Sequence, residues 1–163
     1  MTLYHGSNIA VKEPKLLPDA RALDFGAGFY LTSSLEQAER WAKSIAKRRK
    51  AGAHAVSVFE IEEIELQNLS VFTFDSASVQ WLKFVSANRN NQPFEELAAT
   101  QWDVVIGPVA NDNTMPVLNF YLIGMYDEEE TLKRLLPQNL KDQYAFKTEK
   151  AIALLKFQEV IEL

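Results

Sequence analysis

The sequence contains no cysteine, which removes a disulfide framework, a thiolate metal site and a cysteine nucleophile from consideration. Histidine is almost as scarce: His5 and His54 are the only two, and no HExxH pair occurs, so no metal is expected. Asp24 and Asp112 are the oxygen ligands a hard cation would meet. Positive charge is also in short supply, with 17 Lys and Arg against 22 Asp and Glu, a formal net charge of −5. That balance argues against a broad basic surface for nucleic acid. No run of about 18 apolar residues exists to span a bilayer, and Met1 to His5 lack the layout of a signal peptide. A cytoplasmic protein with no membrane contact is expected.

Several motifs are missing too. There is no GxxxxGK[ST] phosphate loop, and Gly26-Ala27-Gly28 lacks the third glycine and the strand-then-helix setting of a dinucleotide fingerprint. Neither Ser7 nor Ser33 sits in a GxSxG elbow. What is present is 163 residues, 47% of them apolar, enough for one substantial core and a single domain over 1–163.

The local pattern mixes strands and helices without regular alternation, which predicts an α+β fold. Strands are expected over 2–5, 54–62, 65–74, 103–108, 142–147 and 159–163, from β-branched and aromatic content and from the Gly107-Pro108 stop. Ser33 with Glu36 reads as a capping box for a helix reaching Lys50 and closed by Gly52, with Leu35, Ala38, Trp41, Ala42 and Ile45 inward. Asp75 or Ser76 is expected to cap a helix bearing Val79, Leu82 and Val85; Thr114 and Pro116 open another. Further helices are expected over 128–136 and from Thr148 to about Lys156. Trp41, Trp81, Trp102 and Phe84 read as core.

Two stretches stand out chemically. Leu3-Tyr4-His5-Gly6-Ser7 and Asp24-Phe25-Gly26-Ala27-Gly28-Phe29-Tyr30-Leu31-Thr32 each set bare glycine backbone beside a polar or aromatic side chain on a strand. An imidazole next to a glycine suits a nucleotide-like ligand. His54, which opens a strand after a basic helix end, receives no role. Arg21 and Arg89 are candidates for a diphosphate or an acceptor, with simple solvation as the alternative.

His5-Gly6-Ser7, then Gly28-Phe29-Tyr30-Leu31 with serines and a helix after it, resembles the poly-ADP-ribose-polymerase and diphtheria-toxin branch of the ADP-ribosyltransferases. The four blocks LYHGS, DFGAGFYLT, DVVIGPVAND and DQYAFKT together resemble a family of small bacterial proteins with the ADP-ribosyltransferase-like fold, often encoded beside an antitoxin. The resemblance implies two small mixed or antiparallel sheets around an NAD cleft, flanked by helices. It implies NAD as substrate, with His5 on the adenosine-side ribose, the Gly6 backbone on the nicotinamide carboxamide and Tyr30 stacked on the nicotinamide. Ser7, Gly28 and Thr32 complete the implied NAD-binding set. Gln143 matches the third catalytic position, a glutamate in the polymerase relatives. A glutamine carbonyl orients a ribose hydroxyl but has no charge to stabilise a cation and no basicity to deprotonate an acceptor. Transfer then requires either an acceptor that is itself nucleophilic or a nearby acid, with Asp112 and Asp142 the candidates, to supply the missing carboxylate. The expected activity is transfer of one ADP-ribose to an unidentified macromolecule, by a toxin with an antitoxin partner. The alternative is a catalytically silent NAD-binding or protein-interaction module, which Gln143 at the third position favours; taken singly, Tyr30 also reads as a core aromatic on a strand and Gln143 as an exposed strand residue.

Overall fold

A computed structural model describes residues 1–17, 23–94, 97, 102–110 and 113–163. The chain runs β1 (Thr2–Ser7), β2 (Phe29–Leu31), α1 (Leu35–Arg49), β3 (Ala55–Glu60), α2 (Glu63–Gln67), β4 (Val71–Thr73), α3 (Val79–Arg89), β5 (Val104–Pro108), α4 (Met115–Leu122), α5 (Glu128–Leu135), β6 (Asp142–Phe146), α6 (Glu149–Ile152) and β7 (Lys156–Glu162). It is an α+β arrangement with two small sheets. One is antiparallel in the order β1-β3-β7; the other, β2-β6-β5-β4, is mixed because β4 and β5 run parallel. Among the described residues no helix is long and apolar enough to cross a membrane.

Strand alternation explains the layers. Phe29, Leu31, Val104 and Phe146 point from the second sheet to a core shared with Leu3 and Phe59 of the first sheet and Ile152 of α6. Their neighbours Val105 and Ala145 point the other way, into a core closed by Trp81, Phe84 and Val85 of α3, Leu118 of α4 and Leu135 of α5. Helix α1 lies against β1 and β3. Its buried face is Gln37, Ala38, Ala42 and Ala46. The expected inward residues Trp41 and Ile45 are only half-buried, because the helix backbone comes so close to β1 that little beyond alanine fits between. Trp102 is likewise half-buried, whereas Trp81 and Phe84 are core as expected.

Several boundaries differ from expectation for identifiable reasons. Ser34, not Ser33, caps α1 by accepting from Gln37 N at 3.3 Å, since Ser33 is engaged by Asp142. Ser78 rather than Asp75 or Ser76 caps α3, accepting from Trp81 N at 3.2 Å. The expected strand over 65–74 is divided: Glu63 and Glu65 favour a helical first turn, giving α2, and only Val71–Thr73 pairs with β5. α6 stops at Ile152, and β7 starts at Lys156, earlier than expected, with Phe157 set edge-on against Phe59.

Gly6 is where the first sheet and α1 meet most tightly. A Cβ there would stand 1.9 Å from the Ala38 carbonyl oxygen and 2.9 Å from the Ala42 nitrogen. These are backbone atoms, so the whole helix would have to move. Gly6→Ala is expected to cost about 3 kcal/mol or more of stability, read as a lower urea midpoint; a midpoint equal to that of the parent would show that α1 is not seated as described.

Candidate functional site

Strands β1 and β2 are joined at one point and then part. Tyr4 and Thr32 exchange two main-chain hydrogen bonds, Tyr4 N to Thr32 O at 2.9 Å and Thr32 N to Tyr4 O at 3.0 Å. A continued antiparallel ladder would next pair Gly6 with Tyr30. Instead, the Tyr30 carbonyl accepts from Nδ1 of His5 at 2.8 Å. The imidazole thus takes the place of the next rung and holds the strands apart. By strand alternation, Gly6 N–H and C=O face the same side as those of Tyr4, into this opening, and find no hydrogen-bond partner among the described residues. Because a carbonyl only accepts, Nδ1 carries the proton and a neutral His5 leaves Nε2 as an acceptor. Burial pulls the His5 pKa below its ordinary 6.5, which keeps that neutral form, and the ring stacks on Phe29 with centroids 4.3 Å apart.

On the other face of β2, the Tyr30 ring lies beside the second core, half-buried. Its hydroxyl accepts from Phe25 N at 2.9 Å and donates to Gly26 O at 2.6 Å. Burial, and then the nearby Asp24 carboxylate, push the Tyr30 pKa well above its ordinary value, so the hydroxyl remains a donor. Lys147 binds the same loop from below, donating to Phe25 O and to Ala27 O, the latter at 2.8 Å, and burial brings its pKa down to about 8. Gly26 adopts a left-handed φ of 78°, which allows the turn.

This loop delivers Asp24 into the interior, where it is 4% exposed. One oxygen accepts from Nε of Arg89 at 2.7 Å and from the same guanidinium's Nη2; the other accepts from Ala110 N at 3.0 Å and from Nε2 of Gln143 at 2.8 Å. Nε2 of Gln143 also donates to Pro108 O at 3.2 Å. Gln143 is 2% exposed, so the exposed-strand alternative for it does not hold. The four donors fill Asp24, which removes it as a candidate cation ligand.

The expected site residues therefore divide into two groups. His5, Gly6 and Tyr30 converge through main-chain geometry, and Tyr30 joins Gln143 through the Asp24–Gly26 loop. Ser7 is buried on β1 beyond Gly6. Thr32 is fully buried, donating to Asp142 at 3.0 Å and accepting from Ser34 N at 3.1 Å, so its hydroxyl serves the turn into α1. Gly28 lacks a side chain where Phe146 O would stand 3.0 Å from a Cβ; its absence serves strand packing. Asp142 is not a free acid: Ser33 N donates to it at 2.8 Å, and the Ser33 hydroxyl and Thr32 bind it too. Arg89 is held by Asp24 and is no free cation for a diphosphate. Asp112 and Arg21 lie outside the described residues. Asp24 as an organising carboxylate, and Lys147 as a loop clamp, were missed. Both stand inside sequence blocks already singled out, but nothing in their spacing shows that residues 24, 89 and 143 meet.

A family model described as "Protein of unknown function (DUF3990)" matches residues 1–157. The chain belongs to the DUF3990 family. No curated protein and no solved structure matches it.

Two measurements check the site of this DUF3990 protein without any ligand. Replacing Gln143 by Glu sets a carboxylate against Asp24 and Pro108 O, and is expected to cost about 3–5 kcal/mol at pH 7. The introduced carboxyl is driven up in pKa by folding, so the folded state binds its proton more tightly than the unfolded one. The deficit relative to the parent, measured by denaturant melts, should thus be smallest near pH 4 and grow as pH rises; a pH-independent deficit would contradict the contact. For His5, a lowered folded pKa means its contribution to stability is complete above 6.5 and is lost as pH falls through the folded value. An NMR titration of the His5 ring should show a midpoint below 6.5, and a midpoint above 6.5 would reverse the assignment.

Proposed function

We propose that this protein is a mono-ADP-ribosyltransferase that takes NAD into the opening between β1 and β2, on a fold of the ADP-ribosyltransferase-like kind. The observation that carries the reading is the parted seam: paired donor and acceptor groups of Gly6 with no partner among the described residues, next to a neutral histidine whose Nε2 is an acceptor. A carboxamide offers an N–H donor and a C=O acceptor in the matching order, so the nicotinamide amide would complete the interrupted ladder. His5 Nε2 would accept from a ribose hydroxyl. Tyr30, half-buried and with its hydroxyl fastened to the loop, offers ring surface to the nicotinamide. The C–N bond to nicotinamide breaks with its electron pair leaving on the nicotinamide, and the ribose carbon passes through an oxocarbenium-like state that the acceptor captures. Holding both fragments in place supplies much of the rate.

With Gln143 neutral, and Asp24 and Asp142 both filled, neither carboxylate of the site is free to deprotonate an acceptor. That suits a single transfer to an intrinsically nucleophilic group on a protein or nucleic acid rather than polymer growth. In this reading the protein is a toxin whose cognate antitoxin is a protein partner. The same observation favours a second reading, a silent NAD-binding module whose output is a protein contact.

Incubation with labelled NAD and cell extract is expected to release free nicotinamide and label a macromolecule, with His5→Ala reducing both by about tenfold or more. Calorimetric binding of NAD with no turnover would select the silent module. No binding at all, and no rise in melting temperature with NAD, would reject both.

A further inference from the structure

The charge of the chain is unevenly spread. Its formal net is −5, yet α1 closes on an unbroken run of cations, Lys47-Arg48-Arg49-Lys50, and Lys43 stands one turn earlier on the stripe that Lys47 continues. These side chains are all exposed, and none forms an ion pair among the described residues, although acids outnumber bases in the chain. The negative end of a helix amounts to about half a charge, which a single cation balances. The surplus sets like charges side by side at a cost. Lys50 moreover closes the helix in the left-handed region, with φ 52°, where glycine is the usual residue.

This run lies beside the opening between β1 and β2. α1 touches β1 at Gly6, where Ala42 N stands 2.9 Å from the position of a Cβ. From Ala42 to Arg49 the helix rises about 10 Å. Arg49 Nη1 donates to Asn8 Oδ1 at 3.0 Å, which ties the last turn of α1 to the chain leaving β1 just past Gly6. No large apolar side chain of α1 is exposed, so the surface lacks the apolar anchor on which a protein interface centres. A row of cations without such an anchor is suited to a phosphate backbone.

We propose that the C-terminal turn of α1 is a docking surface for a nucleic-acid strand, held by its phosphates. Resting on the NAD reading above, the docked strand is the acceptor. A nucleophilic base nitrogen or sugar hydroxyl attacks the ribose carbon, and a C–N or C–O bond forms as the bond to nicotinamide breaks. The electron pair of the broken bond leaves on nicotinamide, and the proton of the attacking group passes to water.

The test is fluorescence anisotropy with labelled oligouridylate and oligothymidylate, on the full chain and on K47Q/R48Q/K50Q, which leaves Arg49 on Asn8. For the parent, log affinity is expected to fall with log salt at a slope of about −3, a loss of about fiftyfold between about 50 and 200 mM. The variant should show a slope shallower by about 2, with its melting temperature unchanged. Lys133→Gln, which removes an exposed, unpaired cation of α5, should leave the slope as in the parent. Absence of binding at the low salt, equal slopes in parent and triple variant, or binding to poly-glutamate in place of the oligonucleotides, as an acidic protein partner would give, overturns the surface. With labelled NAD, the parent should label the oligonucleotide and the triple variant about tenfold less, while both release nicotinamide to water equally. Label on protein alone overturns the acceptor. Binding that depends on the cation run, in a parent that releases no nicotinamide, supports the surface and rejects the NAD reading.

Discussion

The carboxylate of Asp24 is the constraint on which the site depends. It is buried and charged, a condition that holds only if donors surround it, and they come from three separate places: the end of α3, the exit of β5 and β6. Without Asp24, Arg89 would be a half-buried cation lacking its counter-charge and Gln143 an unanchored amide. With it, the loop before β2 becomes a fixed wall. Tyr30 and Lys147 fasten the remainder of that wall by its main-chain groups, so side chains from β2 and from the end of β6 hold the loop that in turn positions Gln143.

A second constraint acts on the other face of β2. One imidazole substitutes for a ladder rung, so the two sheets are joined at Tyr4 and Thr32 and separated just beyond. The separation leaves polar backbone in an interior setting, an arrangement that secondary structure normally avoids. Gly6 makes it geometrically available twice over. Its missing Cβ admits α1 against the strand, while its N–H and C=O face the opening. Glycine is thus needed there for packing whether or not a ligand ever binds.

The sequence showed much of this, but unevenly. The α+β class, the strands holding His5, Tyr30 and Gln143, and α1 with its charged surface were legible because they depend on local periodicity. The split of 65–74 into α2 and β4 was not, since Ile64, Leu66 and Leu69 suit a strand as well as a helical turn. At the site, the His5 and Gly6 pairing was visible as adjacent letters. The Asp24–Arg89–Gln143 cluster was hidden, because its other members are 65 and 119 positions from Asp24 and each alone reads as an ordinary polar residue. The pairing of Thr32 with Asp142 was hidden for a related reason: their hydroxyl and carboxylate meet across two strands that are 110 positions apart in the chain.

These parts meet in one proposal, that the gap between β1 and β2 receives the nicotinamide end of NAD. A crystal structure grown with saturating NAD tests it most directly. The expected result is the carboxamide on the main chain of Gly6 and a ribose hydroxyl on His5. A dinucleotide bound elsewhere, or a seam left empty at saturating NAD, would contradict it.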